Sequence, residues 1–277
     1  MKIGGVPEHY NAPIHGALQA LNSSDYTWKS FPSGTGAMLD ALDAGEIDLA
    51  ILLTEGVTKH ALTTNRSKIV GTFVDNPLPW GVHVSPSSGL TTMLDLNKRI
   101  ESLTFGISRL GSGSHLMAIV HASRLGVRSP QFKIVDTMKG ARDALLAQEI
   151  NVFLWDIATA DVFAREGVWT CIGTVSGDWP AFVFATSSNF SMKESLSKFL
   201  SAVESESLRM KTERNVHHLM SSYNLTEKQA VDFFDSIKWN GKSHIDFSAM
   251  NRVVQALISA GIIPDQCYDV SSIINMV

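Results

Sequence analysis

Two short runs of small residues carry the chemistry that this sequence offers. The first is SRLGSGSHLMA, Ser108 to Ala118, in which Gly111, Ser112 and Gly113 stand where a strand passes into a helix. The second is SGTG, formed by Ser33, Gly34, Thr35 and Gly36, at the same kind of boundary. Glycine lets backbone amides approach a ligand, and Ser or Thr adds a hydroxyl donor. A helix N-terminus also favours negative charge. The same residue types are preferred N-caps, so an ordinary turn explains either loop taken alone. Their occurrence at equivalent places in two sets of elements favours a ligand site. Neither loop is a Walker loop, because no Lys-Ser/Thr follows, and neither is a clean GxGxxG.

Other candidates stand at strand ends, where open α/β sheets bind ligands. The loop after the first strand, PEHYNAP, holds Pro7, His9 and Asn11, and the third strand, 47–53, ends in the loop TEG, Thr54 to Gly56, which holds Glu55. Arg109, Ser114 and His115 flank the small residues of the first run. Thr137 and Lys139 follow another strand, and Trp155 with Asp156 closes a further one. His9 and His115 read equally as anion donors or as capped, partly exposed histidines. Trp80 and Trp179 stand at two chain junctions, suited to stacking on a flat ligand or to packing a hinge. Trp155-Asp156 suits a cationic or amide group, or is a core Trp beside an exposed Asp.

A catalytic constellation is missing from local sequence. Cys171 and Cys267 have no neighbouring His or Lys to activate them, and two cysteines make neither a disulfide framework nor a Cys-based zinc site. They read as free thiols of a reducing compartment. His217-His218 reads as surface, with no acid at metal spacing. No metal and no cofactor are expected.

These loops need elements to hold them, and strands alternate with helices along residues 1–175. Strands are expected at 2–6, 26–31, 47–53, 68–74, 102–108, 132–136, 151–156 and 169–175. Helices are expected at 12–21, 34–45, 112–125, 139–148 and 158–166. This pattern predicts α/β architecture with largely parallel sheets. The stretches 75–86 and 176–187 mirror each other, each with Trp and Pro, and read as two hinge crossings through Asn76, Pro79, Trp80, Trp179 and Pro180. One domain is therefore expected over 1–78 plus 184–277, with a second inserted over 79–183. After residue 190 the pattern is helical. A capping box is expected at Ser191 and Glu194, and a looser one at Thr226 and Asp232.

Composition excludes several classes. The 277 residues are 44% hydrophobic and 18% charged, with net charge −4. No basic stripe exists to meet nucleic acid. No window reaches the ~18 apolar residues of a membrane span. The start, MKIGGVPEHY, lacks the apolar stretch of a signal peptide, so a cytoplasmic protein is expected. The four sequons at Asn22, Asn65, Asn189 and Asn224 then read as chance matches.

With the loops placed, the chain resembles the type 2 periplasmic substrate-binding proteins of ABC transporters, in the sulfonate, nitrate and thiamine-pyrimidine group. SGTGAMLDALDAGEIDLAILLTEG, residues 33–56, is similar to that group's loop, helix, acidic-Gly turn and buried strand. ISRLGSGSHLMA, residues 107–118, is similar to its second-domain anion loop. The likeness runs in order over about residues 1–190. It implies a two-lobed clamp with two hinge crossings, C-terminal helices packed on the first domain, and a ligand in the cleft. Ser33–Gly36, Gly111–His115 and His9 are the residues it places on the ligand. Without an export signal or lipoprotein cysteine, the chain resembles the intracellular, fungal-type members of that fold, and a transporter partner is not implied.

Three functions remain open on these residues. The first is non-catalytic binding of a small anionic or heterocyclic metabolite by a monomer. The second is an enzyme of thiamine-precursor metabolism; the Cys-rich motif of the fungal pyrimidine synthases is absent, which leaves Lys139, His9 and His115 as reactive groups. The third is a protein-interaction role for the late helices.

Overall fold

The computed structural model describes residues 1–97, 103–127, 129–240 and 244–276. The strand expected from Ser102 starts outside these residues; its remainder is observed from Thr104. The elements run β1 (Lys2–Gly5), α1 (Ala12–Leu21), β2 (Thr27–Ser30), α2 (Thr35–Asp43), β3 (Leu49–Leu53), α3 (Thr54–Thr64) and β4 (Ser67–Val74). They continue with β5 (Trp80–Val84), α4 (Met93–Leu96), β6 (Thr104–Ile107), α5 (Gly113–Arg124), β7 (Gln131–Ile134), α6 (Met138–Leu146), β8 (Val152–Asp156), α7 (Ile157–Arg165) and β9 (Thr170–Val175). The chain closes with β10 (Phe182–Ser187), α8 (Lys193–Glu213), α9 (Val216–Tyr223), α10 (Glu227–Ser236) and α11 (Phe247–Ser259).

The chain divides into two compact units. The first comprises Met1–Pro77, Asp178–Gln255 and Asp265–Val277, and the second Leu78–Gly177 and Ala256–Pro264. The last turn of α11 thus groups with the second unit.

In the first unit the strand order is β2-β1-β3-β10-β4. β1, β2 and β3 are parallel, and β10 runs antiparallel to both β3 and β4. In the second unit the order is β7-β6-β8-β5-β9, with β6, β7 and β8 parallel and β5 antiparallel to β8 and β9. Both sheets are therefore mixed, a correction to the largely parallel expectation. The reason is that β5 and β10 follow the two crossings and enter between strands laid down elsewhere in the chain. The stretch 75–86 is accordingly not all connection: Trp80–Val84 is a fully buried strand.

Local rules explain most of the rest. α1 begins with Pro13 in its first turn, where a missing N–H has no consequence. Gly45 follows α2 at φ 69°, a left-handed stop. Asn22, Asn65 and Asn224 are the left-handed caps of α1, α3 and α9, at φ 40°, 54° and 54°. Asparagine tolerates that conformation better than most residues, so capping accounts for three of the four sequons.

Three local expectations need correction. Thr54–Gly56 is the first turn of a helix and not a loop, because α3 starts directly at the end of β3. Ser191 and Glu194 form no capping box: Met192 is the N-cap of α8, which places Glu194 one position too early. The box of α10 pairs Thr226 with Gln229 and not with Asp232.

Candidate functional site

Because β1, β2 and β3 are parallel, α1, α2 and α3 all start at one edge of the first sheet. Pro7 is exposed in the turn after β1, and the next residues enter a short 3-10 turn, His9–Asn11. His9 is buried, 7% exposed, among the rings of Tyr10 and Phe233, each 4.5 Å away. Burial pushes its imidazole down to about 4, so it stands neutral. Asn11 donates from Nδ2 to the Val6 carbonyl at 2.7 Å, while its buried Oδ1 has no partner.

Ser33 is exposed, and Gly34, Thr35 and Gly36 are half-buried. Gly34 takes φ 76° as N-cap of α2, and a Cβ there would meet nothing within 4 Å. Thr35 Oγ1 accepts the Leu53 amide at 3.3 Å, which ties the start of α2 to the end of β3. Glu55, 4% exposed, accepts from Trp179 Nε1 at 3.2 Å. Burial raises its carboxyl to about 7, against the lowering effect of its own backbone amide and of Trp179.

In the second unit, α5, α6 and α7 likewise start at one sheet edge. Gly111 is left-handed at φ 71°. Ser108, Ser112 and Ser114 are buried and joined: Ser108 Oγ to Ser114 Oγ at 3.1 Å, and Ser112 Oγ to Ser114 Oγ at 3.0 Å. Ser112 Oγ also donates to the Arg109 carbonyl at 2.7 Å and accepts the His115 amide at 3.2 Å. Gly111 N–H donates to His115 Nδ1 at 3.0 Å. The small residues thus build a tight, self-bonded loop. Its outer face is Arg109, exposed, with Gly111, Gly113 and His115 half-buried.

Thr137 caps α6 by accepting the Gly140 amide at 3.1 Å, and Lys139 beside it is exposed. Asp156 caps α7 by accepting the Thr159 amide at 2.9 Å. Trp155 is half-buried and stacks on Phe153, with centroids 5.4 Å apart.

Of the expected crossing residues, Trp80 opens β5 opposite Asp156 and Val175. Asn76 holds the return of the chain, accepting the Ala181 amide at 3.2 Å on its carbonyl. Pro79 is half-buried, and Trp179 and Pro180 are buried.

Thr54 Oγ1 donates to the Pro180 carbonyl at 2.6 Å, and Asn11 stands at the start of α1. Nothing local in the sequence marks that bond of Thr54, since Pro180 lies 126 residues away. Cys171 and Cys267 are free and exposed. Among the described residues no group of three or more His, Cys, Asp or Glu is placed to hold a metal, and no helix is long and apolar enough to cross a membrane. Chemically, these edges offer backbone amides, hydroxyls and aromatic faces.

A family model described as Ca3427-like PBP matches residues 84–175. No curated protein matches the sequence. Among solved structures, the chain is similar to the Candida albicans CA3427 gene product, described as defining a family with the generic periplasmic binding protein fold. They share 24% identity over 99% of this chain and 95% of that one, at a TM-score of 0.85. It is also similar to the alkanesulfonate-binding protein SsuA from Xanthomonas axonopodis pv. citri bound to MOPS, at 14% identity, 100% and 98% coverage and a TM-score of 0.79. PhnD1 from Prochlorococcus marinus in complex with methylphosphonate aligns at 10% identity, 95% and 98% coverage and a TM-score of 0.63. The chain has the type 2 periplasmic binding protein fold.

Proposed function

We propose that the chain binds a small anionic or heterocyclic metabolite, of the sulfonate, phosphate ester or pyrimidine class, at its strand-end loops and without catalysis. One contrast carries this reading. α5, α6 and α7 are each closed by a side chain of their own, Ser112, Thr137 and Asp156. The N-cap residues of α1, α2 and α3 make no side-chain cap hydrogen bond. The first-turn amides of a helix need acceptors, and an anion at the start of α2 supplies what Gly34 cannot. The fold supports the reading, since proteins that share it are described with MOPS and with methylphosphonate bound. Closure would turn on residues 76–80 and 178–183, by hinge motion.

A thermal-shift screen tests it, against sulfonates, phosphate esters, nitrate, pyrimidines, thiamine and pyridoxal phosphate. A ligand at ~100 times its Kd stabilises by about 2.7 kcal/mol. Ser33→Asp, on an exposed residue beside the α2 start, should weaken an anionic hit at least tenfold by repulsion, and Gly113→Arg should block the second loop. Unchanged affinity in both variants would remove these loops from the site, and an empty screen would remove these ligand classes.

A further inference from the structure

We propose that Glu55 and Trp179 form a proton-operated latch that holds the segment where the chain returns to the first unit. This is independent of the ligand reading. The first turn of α3 grips residues 179–181 by three bonds: Thr54 Oγ1 to the Pro180 carbonyl at 2.6 Å, the Thr54 amide to the Ala181 carbonyl at 3.2 Å, and Trp179 Nε1 to Glu55 Oε2 at 3.2 Å. Two of the three contain nothing that titrates. The third ends on a carboxyl that is 4% exposed, held by an indole that is 8% exposed.

The turn has little room to yield. A Cβ on Gly56 would come 2.5 Å from Thr35 Cγ2, so α3 starts hard against α2. Nor, among the described residues, does a neighbouring charge stabilise the carboxylate. The groove beside Trp179 carries Asp75, Asp178, His244, Asp246 and Arg252. Arg252 is committed to the Asp178 carbonyl at 2.7 Å, to Ser248 and to Asp246. Further along α3, His60 is committed to Asp43 and Ser67, and Lys59 is half-buried. Among the described residues, burial and two hydrogen bonds act on Glu55, and burial is the larger effect.

A charge-assisted hydrogen bond strengthens on ionisation, but a buried carboxylate with one side-chain donor loses more in desolvation than it regains. The raised value of about 7 says which effect wins. Acid therefore closes the latch, and rising pH drives Glu55 towards water and frees Trp179.

The test is amide hydrogen exchange at Thr54 and Ala181 in the full chain, from pH 4.5 to 8, corrected for intrinsic exchange. A shift from 4.5 to about 7 predicts local opening more frequent by roughly 150-fold across that range, with a midpoint near 7. Trp179 fluorescence, taken as the difference between wild type and Trp179→Phe, should report the same midpoint. Glu55→Gln, which keeps the shape and removes the charge, should abolish both. A titration that persists in Glu55→Gln, or exchange at Thr54 and Ala181 that is flat with pH in the wild type, would overturn the proposal. A thermal melt confirms that each variant is folded.

Discussion

Acid should unfold this protein, and the structure says how steeply. His9, His83 and His121 are 7%, 1% and 2% exposed. Burial pushes each imidazole from 6.5 down to about 4. His83 gains partial compensation from the Phe153 carbonyl at 3.3 Å, while the charge of Arg124 works against protonating His121. A depressed value means that the folded state binds the proton less well than the unfolded chain does. The contribution of each histidine is thus fully present above pH 6.5 and is lost as pH falls towards 4.

Each fall from 6.5 to about 4 corresponds to about 3 kcal/mol, so three sum to about 10 kcal/mol. Glu55 acts in the opposite direction: its raised value makes the folded state hold its proton more tightly, returning about 3 kcal/mol as pH falls from 7 to 4.5. The histidines win, and the net loss of about 7 kcal/mol rivals the whole stability of a typical domain. Near pH 5 the slope should approach three protons minus one, about 2.7 kcal/mol per pH unit. Urea unfolding at pH 7.5, 6.5, 5.5 and 5 reads this directly. His83→Gln, which removes one titrating ring, should reduce the slope by about 1.4 kcal/mol per unit. Stability that is level or rising from pH 6.5 to 5 would refute the reasoning, because no arrangement of buried neutral imidazoles gives that sign.

Further outcomes follow from packing and capping. Phe184→Ala on β10, fully buried and 5.1 Å from the Phe73 ring, should lose about 3–5 kcal/mol in urea unfolding. Gly140→Ala should lose about 2 kcal/mol or more, since its Cβ would lie 2.0 Å from the Val135 carbonyl oxygen; an unchanged midpoint would mean that the turn before α6 gives way freely. Ser112→Ala should lose about 1–2 kcal/mol with the cap on His115 and the bond to Arg109, read by the same unfolding curve.

The local signals in this sequence were strong because each lies within a few residues of its effect. Ser112 with His115, Thr137 with Gly140 and Asp156 with Thr159 are three residues apart, so the starts of α5, α6 and α7 were readable. So were Gly45 as a stop and the whole of α1, 12–21, from its apolar spacing. α3 was not, because TEGVTKHALTT carries little apolar periodicity and owes its helix to the strand it leaves and the sheet it covers.

Chain order and composition determined the α/β class and the loops that deserve attention. Tertiary structure alone decided that β10 slots antiparallel between β3 and β4, and β5 between β8 and β9, because pairing between distant strands leaves no local pattern. It also decided the chemistry of individual groups. Glu55 and Trp179 are 124 residues apart, and only their shared burial makes one a carboxyl that titrates near neutrality and the other its donor. A residue's type is fixed by sequence, but its protonation is fixed by how much water the fold removes from it.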